Sequence, residues 1–484
     1  MSSAQLSDDL EKYLREQNLY INEKERRARV LILQDLNNIA AEWIRKTYPD
    51  HAKDLSDRNL CRVVHFGSYR LGVDSPGSDI DSCLITPKYV KKEDFFDGLY
   101  SSLRNNALIT DCKAIPTAKV PIITMVYNNV DVDLSLAPLQ RSSLDEDLDL
   151  TDNNILSGVD LPTQRALNGP RVSDTMLQLV HNKPVFRNAL RAIKLWAKNR
   201  GIYSNALGYL GGVTWAIMLA RVCIQFPSAN VADILNKFFT FYSEWKWQEA
   251  VPISICEVEK PPHLRFFNWR PNNKEHMIVL TPCYPTMNST YNVTISNLSV
   301  IVSEIKRAKE AMEAIFSDKE PISVLFKPLN FFNKFHTYIR ISAVSQNRDD
   351  FLEFQGMIQS RLRSLIELLE KYNHTWRIID QLQVKCDPVE YDDTFTSDFY
   401  LGINIIKTKE VTQKIDITQP VQEWIQANLE GGYKVVDGRK DKKLGDIVVS
   451  VHTKKSLPED VKPQKSSRTR TRTEGDEDAK QRKE

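Results

Sequence analysis

The 484-residue chain has few cysteines, and its seven (Cys61, Cys83, Cys112, Cys223, Cys256, Cys283, Cys386) form no CxxC pair and no regular spacing. That excludes a disulfide-stapled fold and a zinc module, and it suits reduced thiols in the cytosol or nucleus. No run of about 18 apolar residues is present, so no membrane span is expected. Residues 1–20 hold no apolar segment, and no secretory signal is read there. Charge of one sign is also missing. Lys+Arg number 65 against Asp+Glu 63, a net +2, so a polyanionic partner has to be held by local clusters rather than by overall charge.

What is present is an ordinary globular composition, 42% hydrophobic and 26% charged, enough for about three domains at roughly 100 to 200 residues each. From Glu23 to Tyr48, Val30, Leu31, Leu33, Leu36, Ile39, Ala40, Trp43 and Ile44 recur at helical spacing, which predicts an amphipathic helix. Short runs at Arg62 to Phe66, Ile80 to Thr86, Val120 to Tyr127 and Val130 to Leu136 predict a small sheet. Pro184 to Asn199 and Gly212 to Phe226 read as helices in a mainly helical middle. Strand-like segments return at Tyr338 to Val344, Asp398 to Ile406 and Asp446 to Val451 around a helix from Phe351 to Tyr372, which predicts a separate α+β unit. From Lys462 to Glu484 eight Lys/Arg and five Asp/Glu stand without an aliphatic residue that could build a core, so disorder is expected. That tail reads equally as a solubilising end, an import signal or a phosphate patch.

The stretch richest in chemistry is His65 to Gly72 followed by Pro76-Gly77-Ser78-Asp79-Ile80-Asp81. Gly67 permits close backbone approach, and consecutive N–H groups with the Ser68 hydroxyl would make a concave phosphate site. Alone, Gly-Ser is only a turn. Asp79 and Asp81, two apart at a strand start, point to one side. A divalent cation converts their repulsion into coordination. A second strand, Val130 to Leu136, carries Asp131, Asp133 and Ser135 on one face, and either aspartate would complete a two-metal centre. The plain alternative is a wet polar face. On the helix from Pro184, Arg187, Arg191, Lys194 and Lys198 form one basic stripe, suited to a triphosphate, an RNA backbone or water.

These residues resemble the eukaryotic nuclear poly(A) polymerases, within the DNA-polymerase-β-like nucleotidyltransferases. The resemblance runs through Phe66-Gly67-Ser68-Tyr69-Arg70-Leu71-Gly72-Val73, Gly77-Ser78-Asp79-Ile80-Asp81, Arg165 to Gly169, Leu190 to Lys198, Ile202 to Asn205, Gly211-Gly212-Val213, Thr281 to Pro285 and Phe331 to Phe335. It implies a multidomain α+β chain. The implied parts are an N-terminal helical segment (1–36) packing on the middle domain, a nucleotidyltransferase palm with a mixed sheet (37–180) and a helical middle domain (181–325). A ferredoxin-like or RRM-like RNA-binding domain (326–455) and a disordered basic tail (456–484) would follow.

The resemblance implies template-independent transfer of AMP from ATP to an RNA 3′ end, with Asp79, Asp81 and Asp133 as the catalytic and metal-holding carboxylates. Mg²⁺ is the implied metal, with Mn²⁺ as a substitute. Gly67 and Ser68 resemble the triphosphate contacts, and Lys194 and Tyr203 their partners from the middle domain. Asn205, Val213 and Thr281 match positions around the base, Gly212 is expected as a further nucleotide contact, and Phe66 and Asn168 match positions near the nucleotide and primer end. Expected partners are ATP, the RNA 3′ end and processing factors, around a monomeric nuclear subunit with no membrane. Lys119 stands where the family has an aromatic, and the match weakens after Tyr372. The readings kept beside this one are a terminal uridylyltransferase and a silent RNA-binding scaffold.

Overall fold

The computed structural model describes residues 2–249, 252–272, 274–376, 379–391, 395–405, 416–429, 432–436 and 439–462. The expected tail from 463 onward lies outside the described residues. Helix α1 (Ser3–Glu16) is followed by the long α2 (Glu23–Thr47), started by a capping box in which Asn22 and Glu25 satisfy each other's backbone N–H groups. The first sheet contains β1 (Arg62–His65), β2 (Ile80–Thr86), β3 (Ile109–Ile115), β4 (Ile122–Tyr127) and β5 (Val130–Pro138), in the order β1-β2-β5-β4-β3. It is mixed, because β2 and β5 run parallel while the other neighbours are antiparallel.

Both faces of β2 are covered, which its run Ile80-Asp81-Ser82-Cys83-Leu84-Ile85 allows. Ile80 and Leu84 join Leu36, Trp43 and Ile44 of α2 in one core, and Cys83 and Ile85 join Ala166 and Leu167 in another. The latter pair belongs to α4 (Leu161–Leu179), while α3 (Gly67–Leu71) is a single turn between β1 and β2. Two departures from expectation appear here. On α2, Val30 and Leu31 are exposed and Arg29 is buried instead. Strand β3 escapes the pattern because Asp111 has φ +48° and the register shifts between Thr110 and Lys113, breaking the alternation.

The middle of the chain holds α5 (Lys183–Asn199), α6 (Gly212–Gln225), α7 (Val231–Ser243) and α8 (Ile295–Phe316). Leu6, Leu10 and Leu14 of α1 join their core, and Ser7 Oγ bonds Asn230 Oδ1 at the start of α7. The N-terminal segment is thus split: α1 packs with the middle helices, and α2 lies on the first sheet.

The C-terminal part runs β6 (Thr337–Val344), α9 (Arg348–Trp376), β7 (Ile379–Val384), β8 (Val389–Tyr391), β9 (Thr396–Ile405), α10 (Thr418–Leu429), the hairpin β10 (Tyr433–Val436) and β11 (Arg439–Lys443), and β12 (Asp446–Thr453). The antiparallel order β12-β6-β9-β7, with α9 after β6 and α10 after β9, is the ferredoxin-like arrangement. Its core is not separate from the middle domain. Ile339, Ile341, Phe399 and Leu401 belong to the same buried cluster as Trp196 and Trp215. The other sheet face carries Tyr338 and Tyr400 and is covered by Phe331, Phe335, Leu457 and Val461. Residues 457 and 461 are therefore packed, and the expected tail boundary at 456 falls too early.

Candidate active site

A cavity of about 870 Å³ lies between the first sheet and the middle helices, lined by Phe66, Gly67, Ser68, Asp79, Asp81, Asp131, Asn168, Lys194, Lys198, Tyr203, Gly212, Val213 and Thr281, among others. Its floor is set by the β2 to β5 register, which places Asp81 directly opposite Asp133. Asp79 precedes the strand. Burial first, then the charges of Asp79 and Asp133, push the Asp81 carboxyl up to about 7, with Lys194 opposing. Burial followed by Asp79 and Asp131 raises Asp133 as well. Crowded, half-buried carboxylates of this kind invite a cation.

The turn after β1 is shaped around Asp81. Gly67 has φ +64°, and a Cβ there would stand 2.3 Å from Asp81 Oδ2. Its N–H donates to Ser173 Oγ at 3.2 Å, and Phe66 N–H donates to the Asp81 carbonyl at 3.0 Å. The sequence offered Gly67 for ligand approach; its neighbour in the structure is the carboxylate.

The basic stripe of α5 is neither free nor wholly solvated. Arg187 Nε donates to Leu71 O at 3.0 Å, Arg191 Nη2 to Gly72 O at 2.6 Å and Lys194 Nζ to Val73 O at 3.3 Å. Three consecutive carbonyls at the end of α3 are thus taken by side chains spaced i, i+4 and i+7. Arg191 also lies over the Tyr20 ring, 4.4 Å from its centroid. Burial pushes the Lys194 ammonium down to about 8, with Lys198 the next contributor. Lys198 Nζ lies 5.5 Å from the Tyr203 centroid.

On the facing wall, Gly212 makes room for Tyr203, whose hydroxyl would stand 2.7 Å from an added Cβ. Val213 is exposed into the cleft, and Thr281 Oγ1 accepts from the Met287 N–H at 2.9 Å. Asn168 Nδ2 contacts Met287 Sδ at 2.7 Å, and Gly169 accommodates the Phe66 ring. Lys119 has its Nζ 4.8 Å from the Tyr291 centroid.

Two of the expected residues stand apart. Asn205 does not line the cavity, and its Oδ1 accepts from Asn292 Nδ2 at 2.7 Å. Asp133 does not line it either, although Asp131 does. Among the described residues no three acidic, histidine or cysteine side chains form a ready-made metal cluster. Reading the sequence missed Arg29, Asp74 and Ser173. Nothing in the spacing marks Ser173, whereas an arginine inside an apolar helical stripe is a visible signal.

In the C-terminal part, Arg361, Arg363, Lys442 and Lys443 are engaged within the chain by Met357 O, Glu367, Asp350 and Asp446. The side chains of Arg439 and Lys440 lie outside the described residues. Among the described residues no helix is long and apolar enough to cross a membrane.

Comparison with known proteins places three family models in series along the chain: the poly(A) polymerase nucleotidyltransferase domain over residues 2–180, the poly(A) polymerase central domain over 185–328, and the poly(A) polymerase predicted RNA binding domain over 330–380. A poly(A) polymerase of Dictyostelium discoideum is 38% identical over 87% of this chain and 53% of its own length. Poly(A) polymerase pla1 of Schizosaccharomyces pombe is 39% identical over 74% of this chain and 64% of its own length. Nuclear poly(A) polymerase 4 of Arabidopsis thaliana is 34% identical over 86% and 57%. The chain spans between about half and two thirds of the length of these curated relatives. The Cid1 poly(U) polymerase crystal structure is similar at 16% identity and a TM-score of 0.47, over 68% of this chain and 100% of that one. With three consecutive domain models and relatives above 30% identity over most of its residues, the chain belongs to the poly(A) polymerase family.

Proposed function

We propose that this chain is a template-independent polynucleotide adenylyltransferase, extending an RNA 3′ end with AMP from ATP. The observation that carries the reading is Asp79 and Asp81 beside the Gly67–Ser68 turn, facing Lys194 and Tyr203 across one cavity, with Asp133 opposite Asp81 in the β2–β5 register. In the reaction the RNA 3′-oxygen bonds to the α-phosphorus, the bond to the β-phosphate breaks, pyrophosphate leaves, and the hydroxyl proton passes to solvent. Charge develops on the attacking and leaving oxygens, and preorganised groups that meet it lower the barrier.

The crowded carboxylates fit divalent cations, Mg²⁺ or Mn²⁺ in its place, which would supply positive charge to the attacking hydroxyl and the leaving pyrophosphate. Asp79 and Asp81 would hold both ions and Asp133 one of them, with Asp131 a neighbour. The Gly67–Ser68 turn and Lys194 would bind the triphosphate. Lys194 would then exchange the Val73 carbonyl for a phosphate oxygen. Tyr203 would join Lys194 on the triphosphate, Val213 and Thr281 would border the adenine with Asn205 behind them, and Phe66 and Asn168 would lie near the nucleotide and primer end. RNA would also meet the C-terminal domain. Nuclear residence, recruitment by 3′-end processing factors and a monomeric catalytic subunit belong to the same proposal, supported by relatives named as nuclear enzymes.

The test is single-turnover extension by Asp79→Ala, Asp81→Ala and Asp133→Ala, with Asp131→Ala as the control. Each of the first three is expected to lose nearly all extension while melting normally, and the control to keep most of it. Appreciable tailing by any of the three rejects its assignment. Asn205→Ala and Thr281→Ala should both lower the ATP:UTP preference, and an unchanged ratio in both removes them as base readers.

A further inference from the structure

Arg29 is a buried charge that this mechanism does not use. It is 3% exposed, although the next two residues of α2, Val30 and Leu31, are 42% and 58% exposed. A helix seeking only apolar contact would turn those two inward. Instead the guanidinium reaches the loop that carries the carboxylates. Its Nη2 donates to Ser78 O at 2.5 Å and its Nη1 to Asp79 O at 3.4 Å. Its Nε stands 3.6 Å from Asp74 Oδ2, with both side chains about equally hidden, at 4% and 5% exposure. The Tyr69 ring lies beside it, 5.7 Å from centroid to Cζ.

This loop needs an external hold. Asp79 stands before the first residue of β2, so its backbone is outside the ladder that fixes Asp81 against Asp133. The turn leading to it passes through Gly77 at φ +75°, closed by Ser78 N–H to Ser75 O at 2.9 Å and Ser75 N–H to Ser78 Oγ at 3.0 Å. Beyond that turn, the hydrogen bonds to the Ser78 and Asp79 carbonyls come from Arg29. A buried guanidinium is costly unless its donors are met, and its planar fork suits two adjacent acceptors better than an ammonium does.

We infer that Arg29 is a positioning residue: it clamps the Ser78 and Asp79 carbonyls, with Asp74 as its counter-ion, and so fixes the Asp79 carboxylate for cation binding. The inference rests on the adenylyltransferase reading above, because it gives Asp79 a metal to hold. Groups that orient ligands in this indirect way commonly change metal affinity or activity about 10- to 100-fold when removed.

The experiment compares wild type, Arg29→Met and Arg29→Lys in three measurements: thermal melting, Mn²⁺ binding followed by electron paramagnetic resonance, and extension of an oligo(A) primer with ATP as Mg²⁺ is varied. Both variants should bind Mn²⁺ about 10- to 100-fold more weakly and need correspondingly more Mg²⁺ for half-maximal extension. The KM for ATP at saturating Mg²⁺ should stay near wild type, and Arg29→Lys should melt close to it. If Arg29→Met does not fold, the lysine variant alone decides. Wild-type Mn²⁺ affinity in Arg29→Lys overturns the inference, as does a loss that only tracks the melting temperature. A wild type that binds Mn²⁺ but extends nothing rejects the functional reading instead, and leaves the clamp to be judged by Mn²⁺ affinity.

Discussion

Any side chain at position 67 meets the Asp81 Oδ2 atom at 2.3 Å, in a backbone conformation with φ +64°. Gly67→Ala is therefore expected to cost about 1–3 kcal/mol through the strained backbone alone, and to displace the carboxylate besides. Melting reads the first effect, and extension at saturating ATP reads the second as a fall in kcat. Lys194 gives a separate expectation. With its ammonium pushed down to about 8 by burial, the free enzyme loses that charge as the pH rises through 8 rather than through the usual 10.5. The KM for ATP should accordingly rise above pH 8 in wild type and stay flatter in Lys194→Arg, since an arginine stays charged throughout. A KM independent of pH from 7 to 9 in wild type would remove Lys194 from the triphosphate site.

At the scale of elements, the junction between the middle helices and the C-terminal domain turns on Glu304 of α8. Arg200 holds it at 2.7 Å, Arg307 at 3.2 Å and Lys334 at 3.7 Å, and its side chain is 4% exposed. Burial alone would raise its pKa, but Arg200 first, then Lys334 and Arg307, bring it below the ordinary 4.5. A folded value below the unfolded one means this contribution is complete above pH 4.5 and is lost as the pH falls through the folded value. Glu304→Ala leaves buried cations unpaired and is expected to destabilise the chain by about 3–5 kcal/mol, read by denaturant unfolding at pH 7.

The same scale shows what was legible beforehand. Ile80 to Thr86 and Val130 to Leu136 announced themselves as strands, because their aliphatic residues had two cores to fill. Strand β3 did not, since its bulge at Asp111 breaks the period of two. The buried face of α2 departs from its hydrophobic pattern because the neighbouring loop takes the Arg29 guanidinium inward. The basic stripe of α5 was visible as a stripe, but its carbonyl partners depend on where α3 ends in space. The choice between Asp131 and Asp133 illustrates the limit. Alternation places both on one face, and only the pairing of β2 with β5 sets Asp133 opposite Asp81.

Across the whole molecule, the cavity exists because two parts of the chain distant in sequence face each other. The carboxylates and the Gly67–Ser68 turn come from the first sheet, and Lys194, Tyr203, Val213 and Thr281 come from residues 194–281. The Arg187, Arg191 and Lys194 bonds to residues 71–73 hold those parts together. A nucleotide bound there would touch both, which would make correct substrate part of site assembly. The central claim is that this cavity adds AMP to RNA. Its most direct test is extension of a labelled oligo(A) primer with Mg²⁺ and each of the four ribonucleotides separately, beside the Asp79→Ala/Asp81→Ala double variant. Long tails with ATP, absent in the double variant, are the predicted result. Best extension with UTP, or RNA binding without any extension, would contradict it.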